Sequence, residues 1–360
     1  MITTRLDGLL DREGHDELWF CTPANVAWLT GAETRIDASA TLGIAAAKYD
    51  GEGVTVLAGP DADRLRTEEL ADDASVETFA WYESSLEEAV AARASEHAAA
   101  DVAIDGLARI DAAAVRQPLV DRDVETYDQL GQDVASAVEA VCRELQSGDS
   151  EHEVGSAVRI ALAARDIEPV SIFVGGAERA QRFVRPTPTA LALGDYVVVS
   201  VTGRRDGLHA GCTRTVAFDA PDWLEARHEA AARVEATAHA VTATGVSGAG
   251  AATAGEVFDA IQSAYDAVGS PDRWQADPQG GATGYARREW LATPGSETLL
   301  QGPMAYAWTP SLPGVRRADT VLVTADGMVD RLTDTGGWPI QRVSAVGHDE
   351  TYSIPAVLSA

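Results

Sequence analysis

The sequence predicts an α/β domain followed by an internally duplicated α+β domain, whose curved antiparallel sheet lies beneath helices. Over about the first 120 residues, short apolar runs typical of strands alternate with stretches of helical spacing. From residue 123 onward the order becomes two helices and then strands, and this order repeats once. A chain of 360 residues is also too long for one ordinary core. We therefore expect one domain over residues 1–122 and a second over residues 123–360.

The N-terminal region contains several apolar runs that predict strands and two Ala- and Glu-rich stretches that predict helices. The strand-like runs cover residues 17–21, 43–49, 53–59, 76–82 and 101–106, and the helical stretches cover residues 61–72 and 84–99. Residues 118–125, PLVDRDVE, are rich in charge, and we expect them to form a connection.

Apolar residues at steps of three and four predict a long helix at the start of the second domain. The stripe runs from Tyr127 to Leu145, and Gly148 is expected to end the helix. Ser150 and Glu153 have the spacing of a capping box, which predicts that the next helix begins there.

The same order recurs in the second half of this domain. Residues 222–243 predict a helix, and the Gly- and Ala-rich connector TGVSGAGAATAG follows at residues 244–255. Thr253 and Glu256 then open a second helix, and the chain is rich in strands from there to its end.

Composition excludes some classes of partner. The formal net charge of -28 repels nucleic acids and anionic membranes, because both are polyanions, so we expect neither as a partner. The acidity is typical of a surface adapted to high salt. No apolar run is long enough to span a bilayer and the N-terminus lacks a signal-peptide core, so we expect a cytoplasmic protein.

Cysteine usage points to neither disulfides nor a thiolate metal site. Cys21, Cys142 and Cys212 are odd in number and far apart, and no CxxC motif is present. We expect them to act as small apolar filler.

Residues 196–216, YVVVSVTGRRDGLHAGCTRTV, predict a hairpin with a turn-rich GRRDG centre. Ser200 and Gly211 lie symmetrically about the midpoint of Arg205 and Asp206, so we expect them to face each other across the strands. Two carboxylates at such positions would suit metal binding, but neither residue is a carboxylate.

Several motifs together resemble those of the creatinase, prolidase and Xaa-Pro aminopeptidase family, peptidase family M24. They are TPANVAWLTG, GDYVVVSVTG, GLHAGCTRTV, GPMAYAWTPSLPG and VRRADTVLVTADGMVDRLT, in that order along the chain. The resemblance implies a creatinase-like N-terminal domain and a C-terminal domain of pita-bread fold. It also implies hydrolysis of the bond before proline, or of a related small amide, by two divalent metal ions. The family commonly forms dimers, so a homodimer is expected.

The resemblance also implies where the metal ligands would lie. In the family pattern a metal-binding His precedes a Glu by eight residues, which leads from Glu289 back to Gly281. The five ligand positions fall on Ser200, Gly211, Gly281, Thr309 and Ala318. None of these residues offers the carboxylate or imidazole that divalent ions require, so no cofactor is expected.

The stretch QGGATGYARRE resembles a divergent branch of the same family. That branch carries two His residues in a frame HHQGG, and here those positions are Asp277 and Pro278. No His lies between His239 and His348, so no shift of the alignment restores the lost imidazole.

The remaining polar residues define a candidate pocket. Because carboxylates are lost from it, its arginines are expected to receive a carboxylate or phosphate by bidentate hydrogen bonds. His209 and Glu289 are candidate catalytic residues, with structural roles as the alternative for both. The candidate ligand-binding residues are Arg204, Arg205, Arg214, Tyr285, Arg288 and Trp308.

Each ligand-binding candidate has a structural alternative. Arg204 and Arg205 are also typical of an exposed turn, and Trp308 of core packing. Arg214 lies in a strand expected to be buried, so it should be paired or face a ligand. Asp319 is expected to point away from the site by strand alternation and to be structural.

Two functional hypotheses follow. The first is a metal-free pseudoenzyme that binds a peptide or a small anionic molecule in the pocket of a pita-bread scaffold. The second is an active hydrolase of aminopeptidase type, acting on X-Pro peptides or a related small amide through an unrecognised catalytic arrangement. A divalent metal pair is expected only if this second hypothesis holds.

Overall fold

The computed structural model describes residues 2–71, 74–248 and 252–360. The chain forms two compact units, Met1–Val120 and Asp121–Ala360. Within the described residues, no helix is both long and apolar enough to cross a membrane.

The N-terminal unit is an α/β layer structure around one mixed sheet. The strand order is β4-β3-β2-β1-β5-β6, with β1 parallel to β5 and antiparallel to β2. Its strands are β1 (Glu17–Phe20), β2 (Ala45–Tyr49), β3 (Val54–Ala58), β4 (Ser75–Thr78), β5 (Ala98–Ala100) and β6 (Ala108–Arg109). Its helices are α1 (Ile2–Glu13), α2 (Pro23–Thr30), α3 (Ala62–Arg64), α4 (Leu86–Ala91) and α5 (Ala112–Arg116).

The predicted strand over residues 101–106 is wrong, because the strand there is β5, three buried alanines that precede it. Alanine has a weak strand preference, so this strand has little signal in the sequence. Asp101 follows the strand, and its carboxylate accepts hydrogen bonds from the amides of Cys21 and Thr22 at 2.7 and 3.0 Å. Asp101 therefore stabilises the start of α2 instead of continuing β5.

The predicted helices of this unit are shorter than expected. The stretch predicted over 61–72 forms α3 and a π-helical turn, Leu65–Glu69, and residue 72 lies outside the described residues. Of the stretch 84–99, only α4 is helical, and it begins with a capping box of Ser85 and Glu88.

The C-terminal unit begins with two helices, and strands follow them. Its first half contains α6 (Asp121–Arg143), α7 (Glu151–Ala163), β7 (Glu168–Gly176), α8 (Ala177–Arg182), β8 (Tyr196–Arg205) and β9 (Leu208–Ala217). Residues 121–125 belong to α6, so the connection expected at 118–125 is wrong over most of its length. Tyr127 and Val134 of the predicted stripe are fully buried, and the predicted capping box of Ser150 and Glu153 is confirmed.

The second half repeats this order. It contains α9 (Leu224–Ser247), α10 (Ala254–Ala267), β10 (Gly280–Thr283), β11 (Met304–Trp308), β12 (Ser311–Leu312), β13 (Val315–Arg316), β14 (Val321–Val323), β15 (Val329–Arg331), β16 (Ile340–Ser344), β17 (Thr351–Pro355) and β18 (Leu358–Ser359). The capping box of Thr253 and Glu256 is confirmed. Helix α9 continues to Ser247, into the predicted connector, and residues 249–251 of that connector lie outside the described residues.

Two four-stranded sheets form the floor of this unit. Their orders are β18-β9-β8-β7 and β10-β11-β14-β15. They meet at an antiparallel bridge between Cys212, within β9, and Asp319, two residues before β14. Cys142 and Cys212 are both fully buried, as small apolar filler would be.

Candidate functional site

The hairpin of β8 and β9 closes through a two-residue turn. Asp206 and Gly207 have φ of 52° and 77°, the left-handed backbone that tight hairpin turns require. This turn pairs Ser200 with Thr213, so the predicted face-to-face pairing of Ser200 with Gly211 is wrong. The cause is the turn centre, which lies one residue later than expected. Gly211 is two residues from Thr213 and therefore lies diagonal to Ser200 on the same face of the sheet.

The hairpin positions hold hydroxyl and backbone groups. The Ser200 hydroxyl is buried and accepts a hydrogen bond from the Thr213 hydroxyl at 2.8 Å. The Gly211 amide donates to the Thr320 hydroxyl at 2.9 Å. A Cβ added at Gly211 would lie 2.6 Å from the Val201 carbonyl oxygen, closer than real Cβ contacts. A carboxylate at Gly211 would therefore force the two strands apart.

A side chain at Gly281, in β10, would also collide with neighbouring backbone. Residues 286–292 run beside β10, and the Glu289 amide donates to the Ala282 carbonyl at 3.0 Å. A Cβ added at Gly281 would meet the Trp290 carbonyl oxygen and would lie 3.0 Å from the Trp290 ring. The backbone of residues 286–292 thus fills the space that a side chain at Gly281 would need.

The last two positions are joined to neighbouring backbone. The Thr309 amide donates to the Gln279 carbonyl, and its hydroxyl donates to the Pro278 carbonyl, both at 2.8 Å. The Ala318 carbonyl accepts the Thr213 amide at 2.7 Å, close to the bridge between the two sheets. Both residues therefore take part in the hydrogen bonds that hold the two sheets and their connections together.

These five positions do not fit a pair of divalent metal ions. They supply two hydroxyl groups, each already hydrogen-bonded, and no carboxylate or imidazole. Steric closure at Gly211 and Gly281 opposes the missing ligands as well. Across residues 2–71, 74–248 and 252–360, no group of three or more His, Cys, Asp or Glu residues has the geometry to hold a metal ion.

The expectation that the hairpin arginines lack matching acids is wrong. Arg204 is bonded to Glu168, with its Nε donating at 2.9 Å, and Arg205 Nη1 donates to Asp133 Oδ2 at 2.8 Å. The acids lie 36 and 72 residues earlier in the chain. Both arginines are thus held in ion pairs with α6 and β7.

Arg214 is fully buried and paired, the first of the two alternatives expected for it. Its Nε donates to Glu139 Oε1 at 3.0 Å, and its Nη1 donates to Asp319 Oδ1 at 2.9 Å. Its Nη2 donates to the Thr333 carbonyl at 2.8 Å. Arg214 therefore joins α6 to the sheet bridge, and Asp319 has the structural partner that its predicted orientation implied.

The two candidate catalytic residues lie around one turn, residues 284–286. The His209 amide donates to the Gly284 carbonyl at 3.0 Å, and His209 Nδ1 lies 3.2 Å from the same oxygen. Glu289 Oε1 accepts the Ala286 amide at 3.0 Å. Tyr285 belongs to this turn and donates its hydroxyl to Asp123 Oδ1 at 2.9 Å. The structure thus brings His209, Tyr285 and Glu289 together, and His209 lies opposite Arg204 in the hairpin register.

Trp308 belongs to an aromatic cluster. It is fully buried, and its ring stacks on that of Tyr306 with centroids 6.2 Å apart. Trp290 lies against both rings, at 5.8 and 6.5 Å. This cluster packs β11 against residues 286–292, which agrees with the core-packing alternative.

A second group of arginines was not found from the sequence, apart from Arg288. Arg316 Nη1 donates to Asp277 Oδ2 at 2.6 Å, and Arg185 bonds to the other oxygen of Asp277. Within the described parts of the chain, neither Arg287 nor Arg288 forms an ion pair with a carboxylate. We call Arg185, Arg287, Arg288 and Arg316, with Asp277, the arginine cluster.

Electrostatics show that this cluster carries excess positive charge. Burial, together with Arg185 and Arg316, lowers the pKa of Arg287. Burial first, and then Arg287 and Arg316, lowers the pKa of Arg288 to about 10. For both groups burial is the main cause of the shift and the neighbouring arginines add to it, because each disfavours the charged form. Nε of Arg287 and Nε of Arg316 are buried with no hydrogen-bond partner in the described structure.

A cavity of about 540 Å³ adjoins the arginine cluster. It lies between the segment 180–185 and the 3₁₀ helix Arg273–Ala276, and Asp277 and Arg185 form part of its wall. Arg182 and Arg273 add two further guanidinium groups. The sequence signals for this site were the pairs RR at 287–288 and 316–317. The first pair lies in a loop and the second begins at the end of β13, and no adjacent pattern unites them.

The family model of metallopeptidase family M24 matches residues 125–325, more than half of the chain. The chain belongs to metallopeptidase family M24. No curated protein matches it at a significant level. The comparison therefore confirms the family named by the resemblance.

Solved structures of this family share the fold over nearly the whole chain. The prolidase from Pyrococcus horikoshii OT3 is similar with a TM-score of 0.75 and 18% identity, covering 93% of this chain and 98% of the prolidase. The X-Pro aminopeptidase from Thermotoga maritima MSB8 gives 0.75 at 13% identity, covering 99% of both chains. The N-terminal domain of FACT complex subunit SPT16 from Cicer arietinum gives 0.66 at 13% identity, covering 93% and 96%. These likenesses confirm the predicted fold class, with a pita-bread C-terminal unit.

Proposed function

We propose that this M24 protein is a pseudoenzyme that binds, without metal, a peptide or small molecule carrying a carboxylate or phosphate group at the arginine cluster. The observation that carries the proposal is the surplus of guanidinium groups: Arg185 and Arg316 share the carboxylate of Asp277, and Arg287 and Arg288 lie near them without an ion pair to a carboxylate of the described residues. This surplus occurs in a chain whose formal net charge is -28. Positive charge concentrated against such a background is suited to an anionic ligand.

The chemistry of the cluster supports an anion of this class. A guanidinium group presents a planar fork of donors that matches the two oxygens of a carboxylate or phosphate. Burial, and after it repulsion from neighbouring arginines, lowers the pKa of Arg287 and Arg288, and a bound anion would relieve the repulsion. The Nε groups of Arg287 and Arg316 have no partner among the described residues, and the ligand supplies acceptors for such donors.

Closure of the ligand positions supports the metal-free part of the proposal. Side chains at Gly211 and Gly281 would collide with backbone carbonyls, so the site is built for the residues that it has. The SPT16 domain, similar in fold, is named as a subunit of the FACT complex and not as a peptidase. An M24-like fold without peptidase chemistry is therefore a reasonable use of the scaffold.

The proposal extends to assembly and solvent. We expect a homodimer, as the family resemblance implies, that is soluble in concentrated salt because screening relieves its acidic self-repulsion. Light scattering in molar potassium chloride should give twice the chain mass of 37.8 kDa. A single chain mass at micromolar protein would contradict the dimer.

Titration calorimetry with inorganic phosphate, and with the dipeptide Ala-Pro, tests the binding proposal. We expect saturable binding to the wild type and at least tenfold weaker binding to Arg287→Gln, since that change removes one unpaired guanidinium. Arg342→Gln is the matched control, because Arg342 is exposed in β16 and lies outside the arginine cluster. Amidation of the dipeptide carboxylate should weaken binding as Arg287→Gln does.

Two results would overturn the proposal. The first is absence of saturable binding by either probe, or equal binding by both variants. The second is release of proline from Ala-Pro by the purified protein that depends on His209 or on added manganese, because that result establishes the hydrolase instead.

A further inference from the structure

A second cavity, of about 420 Å³, lies in the Asp121–Ala360 unit and shares no lining residue with the cavity beside the arginine cluster. Its walls come from α9, β14, β15 and β17. Glu235, His239 and Asp319 form its buried floor, and Asp330 and Ser353 stand exposed at its mouth. We call it the α9 cavity.

Three polar atoms of the floor lack a hydrogen-bond partner in the described structure: Glu235 Oε1, His239 Nδ1 and Asp319 Oδ2. The side chains that carry them belong to residues that are only 1%, 4% and 2% exposed. Buried polar atoms in folded proteins are almost always hydrogen-bonded, because burial without a partner is costly. Two carboxylate oxygens left open at the floor of one cavity therefore indicate a ligand that donates hydrogen bonds.

The arginine partners of these carboxylates do not use all of the carboxylate oxygens. Arg317 Nε donates to Glu235 Oε2 at 2.6 Å, and Arg317 Nη2 lies 3.8 Å from Asp319 Oδ2. The other Asp319 oxygen accepts from Arg214 at 2.9 Å, and Arg214 is already shared with Glu139. Arg143 Nη2 also lies 3.8 Å from Glu139 Oε2, so three arginines serve three buried carboxylates, and Glu235 Oε1 still lacks a hydrogen-bond donor among the described residues.

The mouth of the α9 cavity carries a net negative charge. Arg331 is neutralised by Asp334 at 2.6 Å, and Asp330 beside it is an exposed carboxylate that forms no ion pair within the described residues. His239 is neutral, because burial lowers its pKa to about 4. The ring of Tyr352 lies on the wall, with its centroid 5.7 Å from that of His239. Carboxylates below and an aromatic ring at the side form a site that suits a cation.

We propose that the α9 cavity binds a small organic cation with a primary ammonium group, whose N–H groups donate to Glu235 Oε1 and Asp319 Oδ2. The volume fits a molecule of several heavy atoms and not a bare ion. The described residues also contain no group of metal-ligating side chains, which favours an organic ammonium over a metal. This site is independent of the arginine cluster and of the anion proposed there.

Titration calorimetry with putrescine, at fixed ionic strength, tests the inference. We expect one saturable site per chain in the wild type and no heat from 1,4-butanediol, which has the same length and no charge. Glu235→Gln keeps the size of the side chain and removes its charge, so it should weaken putrescine binding at least tenfold. Glu229→Gln is the matched control, because Glu229 is exposed on the same helix. Diffuse attraction to the acidic surface would affect both variants equally.

A second variant covers a failure of Glu235→Gln to fold, which circular dichroism would reveal. Asp330→Asn changes only the exposed mouth, and it should weaken binding about twofold to threefold. Arg287→Gln should leave putrescine binding unchanged. Absence of a saturable site in the wild type, or full affinity in a folded Glu235→Gln, would overturn the inference. If Glu235→Gln does not fold, full affinity in Asp330→Asn would do so.

Discussion

Gly281→Ala is the sharpest test of the closed metal site. A methyl group at this position would meet the Trp290 carbonyl oxygen, and would lie 3.0 Å from the Trp290 ring and 3.1 Å from Leu291 Cα. The oxygen belongs to backbone, so it can move only if residues 286–292 move with it. The stability of the Gly281→Ala variant therefore tests whether this segment occupies the space that an imidazole at position 281 would need.

The cost follows from the hydrogen bonds that flank the collision. The Glu289 amide donates to Ala282 at 3.0 Å, and the Ala292 amide donates to Gly280 at 2.9 Å. Displacement of the segment breaks both bonds, at about 1 kcal/mol each. Overpacking strain adds about 1–3 kcal/mol. The free energy of unfolding should therefore fall by about 3–5 kcal/mol, or roughly 6–20 °C in Tm for a unit of this size.

Urea unfolding and calorimetry measure this loss. Gly148→Ala is the control, because a Cβ there meets nothing within 4 Å, and it should stay within about 0.5 kcal/mol of the wild type. If Gly281→Ala were as stable as Gly148→Ala, the backbone would not fill the imidazole position. The steric argument that a side chain at Gly281 cannot reach a metal would then fail.

The remaining predictions concern buried charge. Arg214→Ala should lower the free energy of unfolding by about 3–5 kcal/mol, because it leaves Glu139 and Asp319 buried without this partner; a loss below about 1 kcal/mol in urea unfolding would contradict the role assigned to Arg214. His239 has a folded pKa of about 4 against 6.5 in the unfolded chain, so the unfolded state takes up the proton first as pH falls. Its share of stability is complete above pH 6.5 and is lost between pH 6.5 and 4, at about 1.4 kcal/mol per pH unit. His239→Gln should remove that slope from the pH dependence of urea unfolding, and an unchanged slope would refute the assignment.

Features set by neighbours in sequence were predictable. The capping boxes at Ser150 and Thr253 require residues only three apart, and both are present. The repeated order of helices and strands depends on local periodicity and was also predictable. The predicted hairpin register is wrong by two residues. The tight turn forms at the DG pair, residues 206–207, and not at the centre of the longer GRRDG stretch.

Features set by distant residues were not predictable. The acids that neutralise Arg204, Arg205 and Arg214 lie on β7, on α6 and just before β14, between 36 and 105 residues away. The arginine cluster likewise gathers side chains from separate loops and from β13, which sequence alone does not bring together. Identifying an unpaired charge requires knowledge of every neighbour in space, and only coordinates give that.

The positive charge of the arginine cluster borders the positions at which the family resemblance places metal ligands. A site for two divalent ions needs several carboxylates, and in this chain the corresponding positions carry none. Arg316 lies two residues before Ala318, and Arg288 lies beside Glu289, so positive side chains border the positions where anionic ligands are lost. Simple loss of function would remove the carboxylates without adding unpaired guanidinium groups, which are costly to bury. Arg287 and Arg288 remain partly buried without a paired carboxylate, which costs free energy. This favours a bound anion over a scaffold that binds nothing.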